Sequence, residues 1–183
     1  MSGENGLPDA RALASLIEGM GFECTRCGDC CRAGEGDGNL VMVSPEEICA
    51  IAAYSGMDPG EVSEPYPEEI PLPGGRTVTF GRVLRRPRGD CLFFSGGGCT
   101  VYPARPAICR TYPFALEGGR LRVYPCRGLG RPIGRGEALR IARALLSRAA
   151  AEEEEFSRVR EAFSRLPGDP GRYVVDSAGV YPL

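Results

Sequence analysis

The sequence predicts an α+β fold: a small, irregular, cysteine-rich domain whose short strands are clamped by an N-terminal helix, a middle helix and a long C-terminal helix. Three observations carry that expectation. Apolar residues recur at helical spacing near both ends and around residue 50, whereas the middle alternates short β-prone runs with turn residues. Gly 26 and Pro 16 in a chain of 183 residues make turns and irregular loops a large share of it. Eight of the nine cysteines gather in two groups inside that irregular middle. The length suits one domain, 1–183, and a 43% apolar composition supplies its core.

Leu7-Pro8-Asp9 opens the first helix, with Asp9 as its cap, Leu13, Ile17 and Met20 as an apolar stripe, and Gly19 or Gly21 as its end. Gly34 to Gly38 reads as an acidic glycine loop, and Leu40 to Val43 as a short buried strand. Ser44-Pro45-Glu46-Glu47 is a strong helix start. Ser44 caps, Pro45 fits the first helical position, and Glu47 can return the bond as a capping box. That helix should run to Ser55, stop at Gly56 and bury Ile48, Ile51 and Ala52. Residues 58–75, rich in proline and acid, read as an irregular crossing or flap. Strand-like runs follow at Thr77–Phe80, Val83–Leu84, Cys91–Phe94 and Cys99–Tyr102, with a glycine turn at 96–98. Phe114–Leu116 and Leu121–Tyr124 form a hairpin across Glu117-Gly118-Gly119-Arg120. From 136 to about 166 the composition turns to Ala, Leu, Glu and Arg. There Leu139, Ala142, Leu145, Leu146, Ala149, Phe156, Val159 and Phe163 mark an apolar side. Glu152–Glu155 reads as a solvated face, with a bend nearby allowed, and the tail after Pro167 as lying over the body or loose.

The first cysteine group is Cys24, Cys27, Cys30 and Cys31; the second is Cys91, Cys99, Cys109 and Cys126. Two residues between cysteines is the chelate spacing of a turn that aims both sulfurs inward, and Gly28 permits a close backbone approach. Adjacent Cys30 and Cys31 point to opposite sides in an extended segment, so they can serve different centres. Three ligands from the first group and one from the second complete a tetrahedral site, and the remaining thiols suffice for another. Thiolate ligands select zinc or an iron–sulfur cluster, possible 4Fe-4S geometry included, in one or two centres. Ligand type alone separates neither. Asp29 is an alternative ligand. Cys49, alone in an apolar helical pattern, reads as core packing. Arg105 and Arg110, which flank Cys109, are expected to donate to cluster sulfur or balance its charge, as cofactor-binding residues. Tyr102, Tyr112 and Phe114 are expected to form an apolar wall that excludes water.

Composition excludes several classes. The chain has no histidine to serve as a base near neutral pH or to ligate a water-activating zinc. A net charge of -2 leaves no basic footprint for nucleic acid. No dinucleotide- or phosphate-loop signature is present. The first residues lack a secretory pattern and no run reaches the ~18 apolar residues of a membrane span, so the expectation is a cytoplasmic protein without membrane insertion.

The stretch from Phe22 to Cys31 and the stretch Cys99-Thr-Val-Tyr102-Pro-Ala-Arg105-Pro106-Ala-Ile-Cys109-Arg110-Thr-Tyr112-Pro113-Phe114 resemble the CxxCxxCC family of zinc- or iron-chelating domains. The resemblance spans roughly 22–130 and has both halves in the right order. It implies that Cys24, Cys27, Cys30, Cys31, Cys91, Cys99 and Cys109 are the recurring thiols and Cys126 a less regular later one. A more distant resemblance, in the cysteine pattern, is to flagellin lysine-N-methylase, a longer chain. The functional expectation is a metal-binding protein with a structural or electron-transfer role. The alternatives are an iron–sulfur enzyme that modifies a peptide or protein partner, and a zinc-stabilised adaptor.

Overall fold

A computed structural model describes residues 7–32, 40–96 and 98–183. The expected glycine loop from Gly34 to Gly38, and Gly97 of the turn at 96–98, lie outside the described residues. The fold is α+β. Its first half holds α1 (Ala10–Met20), β1 (Met42–Val43), α2 (Pro45–Ser55), α3 (Pro59–Val62), β2 (Ser63–Pro65), β3 (Ile70–Leu72), β4 (Arg76–Phe80) and β5 (Arg82–Leu84). Then come β6 (Phe94–Ser95), β7 (Gly98–Cys99), α4 (Ala107–Thr111), β8 (Phe114–Glu117), β9 (Arg120–Val123), α5 (Arg135–Phe163), β10 (Gly171–Asp176) and β11 (Gly179–Pro182). The chain divides into two compact units. The first comprises Met1–Cys30 and Ala107–Ala151, the second Cys31–Pro106 and Glu152–Leu183. α5 is unbroken and contributes to both.

In the first unit α1 begins where Asp9 accepts hydrogen bonds from the Arg11 and Ala12 amides and ends at Gly21. Capping of this kind satisfies orphan amides of the first turn and contributes about 1 kcal/mol. Leu13, Ala14 and Ile17 pack on Ala138, Ala142 and Leu145 of α5, with Phe114 of β8 filling the same core. Alanine at 14, 138 and 142 lets the two helices approach closely. Arg135 secures the contact, donating from Nη1 to Ser15 Oγ at 2.8 Å and Glu18 Oε2 at 3.0 Å. β8 and β9 form the expected hairpin, and Gly118 and Gly119 at its turn have φ of 56° and 74°.

The second unit carries a three-stranded sheet in the order β1-β5-β2, a four-stranded sheet β11-β10-β4-β3 and the small hairpin β6-β7. α2 starts with the expected Ser44–Glu47 capping box, ends at Gly56 and buries Ile48, Ile51 and Ala52. These meet Val43, Val62, Leu84, Phe93 and Val101. A second core joins Val78, Tyr173 and Val175 to Ala162 of α5.

Several expectations need correction. Residues 58–75 are not a flap: Pro59 and the Asp58–Glu61 capping box start α3, and β2 and β3 pair with β5 and β4. Of the two expectations for the tail after Pro167, loose is wrong, and it is built into the sheet of its unit rather than laid over it. Tyr173-Val174-Val175 is buried as β10, a central strand parallel to β4, and β11 returns beside it. Only Met42 and Val43 of the expected strand at 40–43 are paired, and Met42 is exposed. Phe156 is exposed as well, beneath the guanidinium of Arg160, because α5 turns that position away from the core. Glu155 is half-buried rather than solvated, and burial raises its pKa above the usual carboxylate range.

Asp176 closes the β10–β11 turn. It is 4% exposed, accepts from Arg82 Nε at 3.1 Å through one oxygen and from the amides of Ala178 and Gly179 through the other. Losing a buried, multiply bonded carboxylate leaves Arg82 and two amides short of partners. Asp176→Ala should therefore destabilise the protein by about 3 kcal/mol in denaturant unfolding, and Asp176→Asn, which keeps the turn's acceptor, by clearly less.

Candidate metal centre

The first cysteine group starts three residues after α1 ends. Two chain segments meet there along a backbone seam in the first unit. Phe22 and Leu129 form an antiparallel bridge, the Glu23 amide donates to the Gly128 carbonyl at 3.0 Å, and the Gly130 amide donates to the Gly21 carbonyl at 3.1 Å. The approach is so close that only glycine fits at two points. A Cβ on Gly128 would sit 2.2 Å from the Glu23 carbonyl oxygen, and one on Gly21, whose φ is +68°, would sit 2.5 Å from that of Arg131. Arg127 adds an ion pair to Asp29 at 2.7 Å. Asp29 thus braces the loop, a role the sequence does not single out.

The seam delivers Cys126 to the loop that carries Cys24, Cys27 and Cys30. That loop is tightly wound: Arg26 and Gly28 have φ of 56° and 79°, and Asp29–Cys31 forms a 3₁₀ turn. A left-handed arginine is strained locally and persists only where surrounding contacts hold it. The Gly128 amide donates to Cys126 Sγ at 3.4 Å, the kind of N–H···S contact that supports a thiolate. Burial pushes the Cys126 thiol up from its usual value against that hydrogen bond, and the charges of Cys27, Cys24 and Cys30 push it further.

Tyr112 belongs to the same neighbourhood. Its hydroxyl donates to the Pro125 carbonyl, and its ring stacks on Tyr124 at 6.4 Å between centroids and 15° between planes. Burial raises the Tyr112 phenol, with smaller contributions from Cys126, Cys30, Cys27 and Asp29. The expected aromatic wall is therefore divided. Phe114 is in the core of the first unit with Phe22 edge-on at 5.5 Å, Tyr112 is beside the thiols, and Tyr102 belongs to the second unit.

The remaining cysteines fall elsewhere. Cys109 is half-buried on α4 in the first unit. Cys31, Cys91 and Cys99 belong to the second: the Cys91 amide donates to the Cys31 carbonyl at 2.7 Å, and Phe94, paired with Cys99, donates its amide to the Cys91 carbonyl at 2.8 Å. Arg105 lies 3.4 Å above the Tyr102 ring and donates to the Tyr102 carbonyl at 2.8 Å. Arg110 is exposed on α4. Cys49 is exposed on the solvent side of α2, so the core-packing expectation for it is wrong: Ile48, Ile51 and Ala52 take the buried face. Among the described residues no three Cys, Asp or Glu side chains close on a common point as metal ligands do. The fit lies in donor chemistry and backbone placement: four soft sulfurs, one supported by an amide, on two segments held together independently of them.

Comparison with known proteins agrees in kind. Residues 23–158 match the model of the CxxCxxCC family, described as "Putative zinc- or iron-chelating domain", and the chain belongs to that family. It is 27% identical over 167 residues to the uncharacterized protein MJ0661 of Methanocaldococcus jannaschii, an alignment that covers 79% of this chain and 81% of the relative. No solved structure matches the chain. Among the described residues no helix is long and apolar enough to cross a membrane.

The seam can be tested without touching a cysteine. Gly128→Ala should force Glu23 and Gly128 apart, cost about 3 kcal/mol and speed the reaction of Cys126 with a thiol reagent. Gly134→Ala, where an added Cβ meets nothing within 4 Å, should leave both unchanged.

Proposed function

We propose that this member of the CxxCxxCC family binds a soft metal through Cys24, Cys27, Cys30 and Cys126, as a zinc site or an iron–sulfur cluster with a structural or electron-transfer role. The observation that carries the reading is the glycine-lined seam, which brings a cysteine about a hundred residues away in sequence to a three-cysteine loop within one folded unit. Four thiolates satisfy either a tetrahedral zinc or a four-iron cluster, and they leave no position open for substrate. Cys31, Cys91 and Cys99 are further soft donors of the second unit and Cys109 of the first. Arg105 and Arg110 remain candidates for balancing charge at these sulfurs.

A role as a peptide-modifying enzyme has less support. The family resemblance allows it, but residues 58–75, which as a flap would cover a substrate, instead hold α3 and the paired strands β2 and β3. An adaptor role would need a broad apolar face on α5, yet Val159 packs inward and Phe163, though partly exposed, lies edge-on against Phe80, so the exposed large apolar side chains of the helix are Phe156 and one flank of Phe163. The resemblance to flagellin lysine-N-methylase rests on the cysteine pattern and supplies no methyl-donor site.

Protein purified without oxygen should contain iron with acid-labile sulfide and absorb in the visible, or contain stoichiometric zinc and be colourless. Cys27→Ser should lose at least one metal centre per chain and unfold more readily, because ligation is coupled to folding. Cys49→Ser should keep the full metal content and stability, as its side chain faces solvent. Full retention by the Cys27 variant would remove the first motif from the centre.

A further inference from the structure

Cys24, Cys27 and Cys30 share one short loop, so their spacing is set by local chain geometry. Cys126 has no such neighbour in sequence and must be aimed by other contacts. Besides the Leu129 amide, which donates to its carbonyl at 3.2 Å, two groups bear on its aim. From one side the Gly128 amide donates to its sulfur. From the other, the Tyr112 hydroxyl donates to the carbonyl of Pro125, the residue immediately before it.

We propose that Tyr112 is the positioning residue that orients Cys126 for metal binding, acting through the Pro125 carbonyl; the proposal rests on the four-thiolate reading above. The carbonyl of Pro125 and the amide of Cys126 lie in one peptide plane, and the proline ring fixes φ on the near side of it. Holding that oxygen therefore restricts the direction in which the Cys126 side chain leaves the backbone. The phenol is itself held firmly. Its own amide donates to Ile108 of α4 at 3.1 Å, and the buried Phe114 anchors the chain two residues on. The Tyr124 amide donates to the Pro113 carbonyl at 2.9 Å, which keeps the stacked rings together. Tyr124 directs its own hydroxyl to Glu117 instead, so of the stacked pair it is Tyr112 that reaches the cysteine segment. Tyr112 never needs to touch the metal to act in this way.

Tyr112→Phe removes the hydroxyl and keeps the ring, and Tyr124→Phe is the matched control. Full-length protein loaded with zinc would be challenged with a chromogenic chelator, and protein loaded with cobalt(II) would report ligand geometry through its thiolate charge-transfer and ligand-field bands. Far-UV circular dichroism of the loaded proteins checks that each variant is folded. The expected result is one centre still bound by Tyr112→Phe, zinc released about tenfold faster than from the wild type, altered cobalt bands, and wild-type behaviour in Tyr124→Phe. Wild-type release and bands in Tyr112→Phe, with the centre lost in Cys126→Ser, would overturn the positioning role and leave the four-thiolate site standing. Equal acceleration in both tyrosine variants would assign the effect to ring packing and overturn it too. Wild-type retention and bands in Cys126→Ser would overturn the four-thiolate site itself, and this proposal with it.

Discussion

The metal-site region of this protein depends on one steric constraint: two backbones that approach until no Cβ fits between them. Gly21 and Gly128 sit on opposite strands of the seam, each facing a carbonyl of the other segment. An alanine at either place would put carbon inside the van der Waals radius of an oxygen, a conflict that a flexible side chain could relieve but a carbonyl cannot. The hydrogen bonds Glu23–Gly128 and Gly130–Gly21 are ordinary in length and individually modest. Their importance is positional, since they fix the register of Cys126 against the loop of three cysteines. The Arg127–Asp29 pair adds little free energy, because Arg127 is largely exposed and water screens it. Its effect is to restrict how far the two loops can drift.

A different logic governs the second unit. There the backbone is held by sheet pairing across long sequence separations, most clearly where β10 lies parallel to β4. A parallel pair in the middle of a sheet is buried on both faces, which explains why Tyr173, Val174, Val175 and Asp176 are buried in succession rather than alternately. Asp176 ends that run by turning the chain with two amide contacts while Arg82 compensates its charge. The unit's cysteines use the same scaffold: Cys91 and Cys99 flank Phe94, and both pack against the core that α2 covers. Their sulfurs therefore occupy a less exposed setting than those of Cys24 and Cys30.

Local signals were legible in the sequence. Asp9, the Ser44–Glu47 box, Gly56 and the Gly118-Gly119 turn act through neighbours a few residues away, so a reading of spacing and residue type finds them. The strands β10 and β11 were legible in principle, because Tyr173-Val174-Val175 followed by a turn and Val180-Tyr181 is a hairpin pattern. The run Pro167-Gly168-Asp169-Pro170-Gly171 before them has loop composition and masks that hairpin. Cys49 misled for another reason: the helix is apolar over most of its surface, and the period did not decide which side faced the core. What the sequence could not reveal was the seam. Gly128 looks like any turn glycine until Glu23 is placed against it, and the spacing of Cys126 carries no chelate signature. Tyr112 was hidden in the same way, since its partner is a backbone carbonyl that residue type does not announce.

The placement of order around the sulfurs has an energetic consequence. A metal site made only of loop residues must organise its chain as it binds, and that ordering subtracts from affinity. Here the backbone of Cys126 is fixed by glycine packing and by a tyrosine, and the loop of Cys24 to Cys30 is already wound through its left-handed turns. Burial, with the charges of the loop cysteines, favours the protonated thiol at Cys126, so a soft cation must displace that proton to bind there. Backbone order at Gly21, Gly128 and the Pro125 carbonyl is set by packing and hydrogen bonding that do not involve the sulfurs, so it would stand ready for the soft metal proposed above.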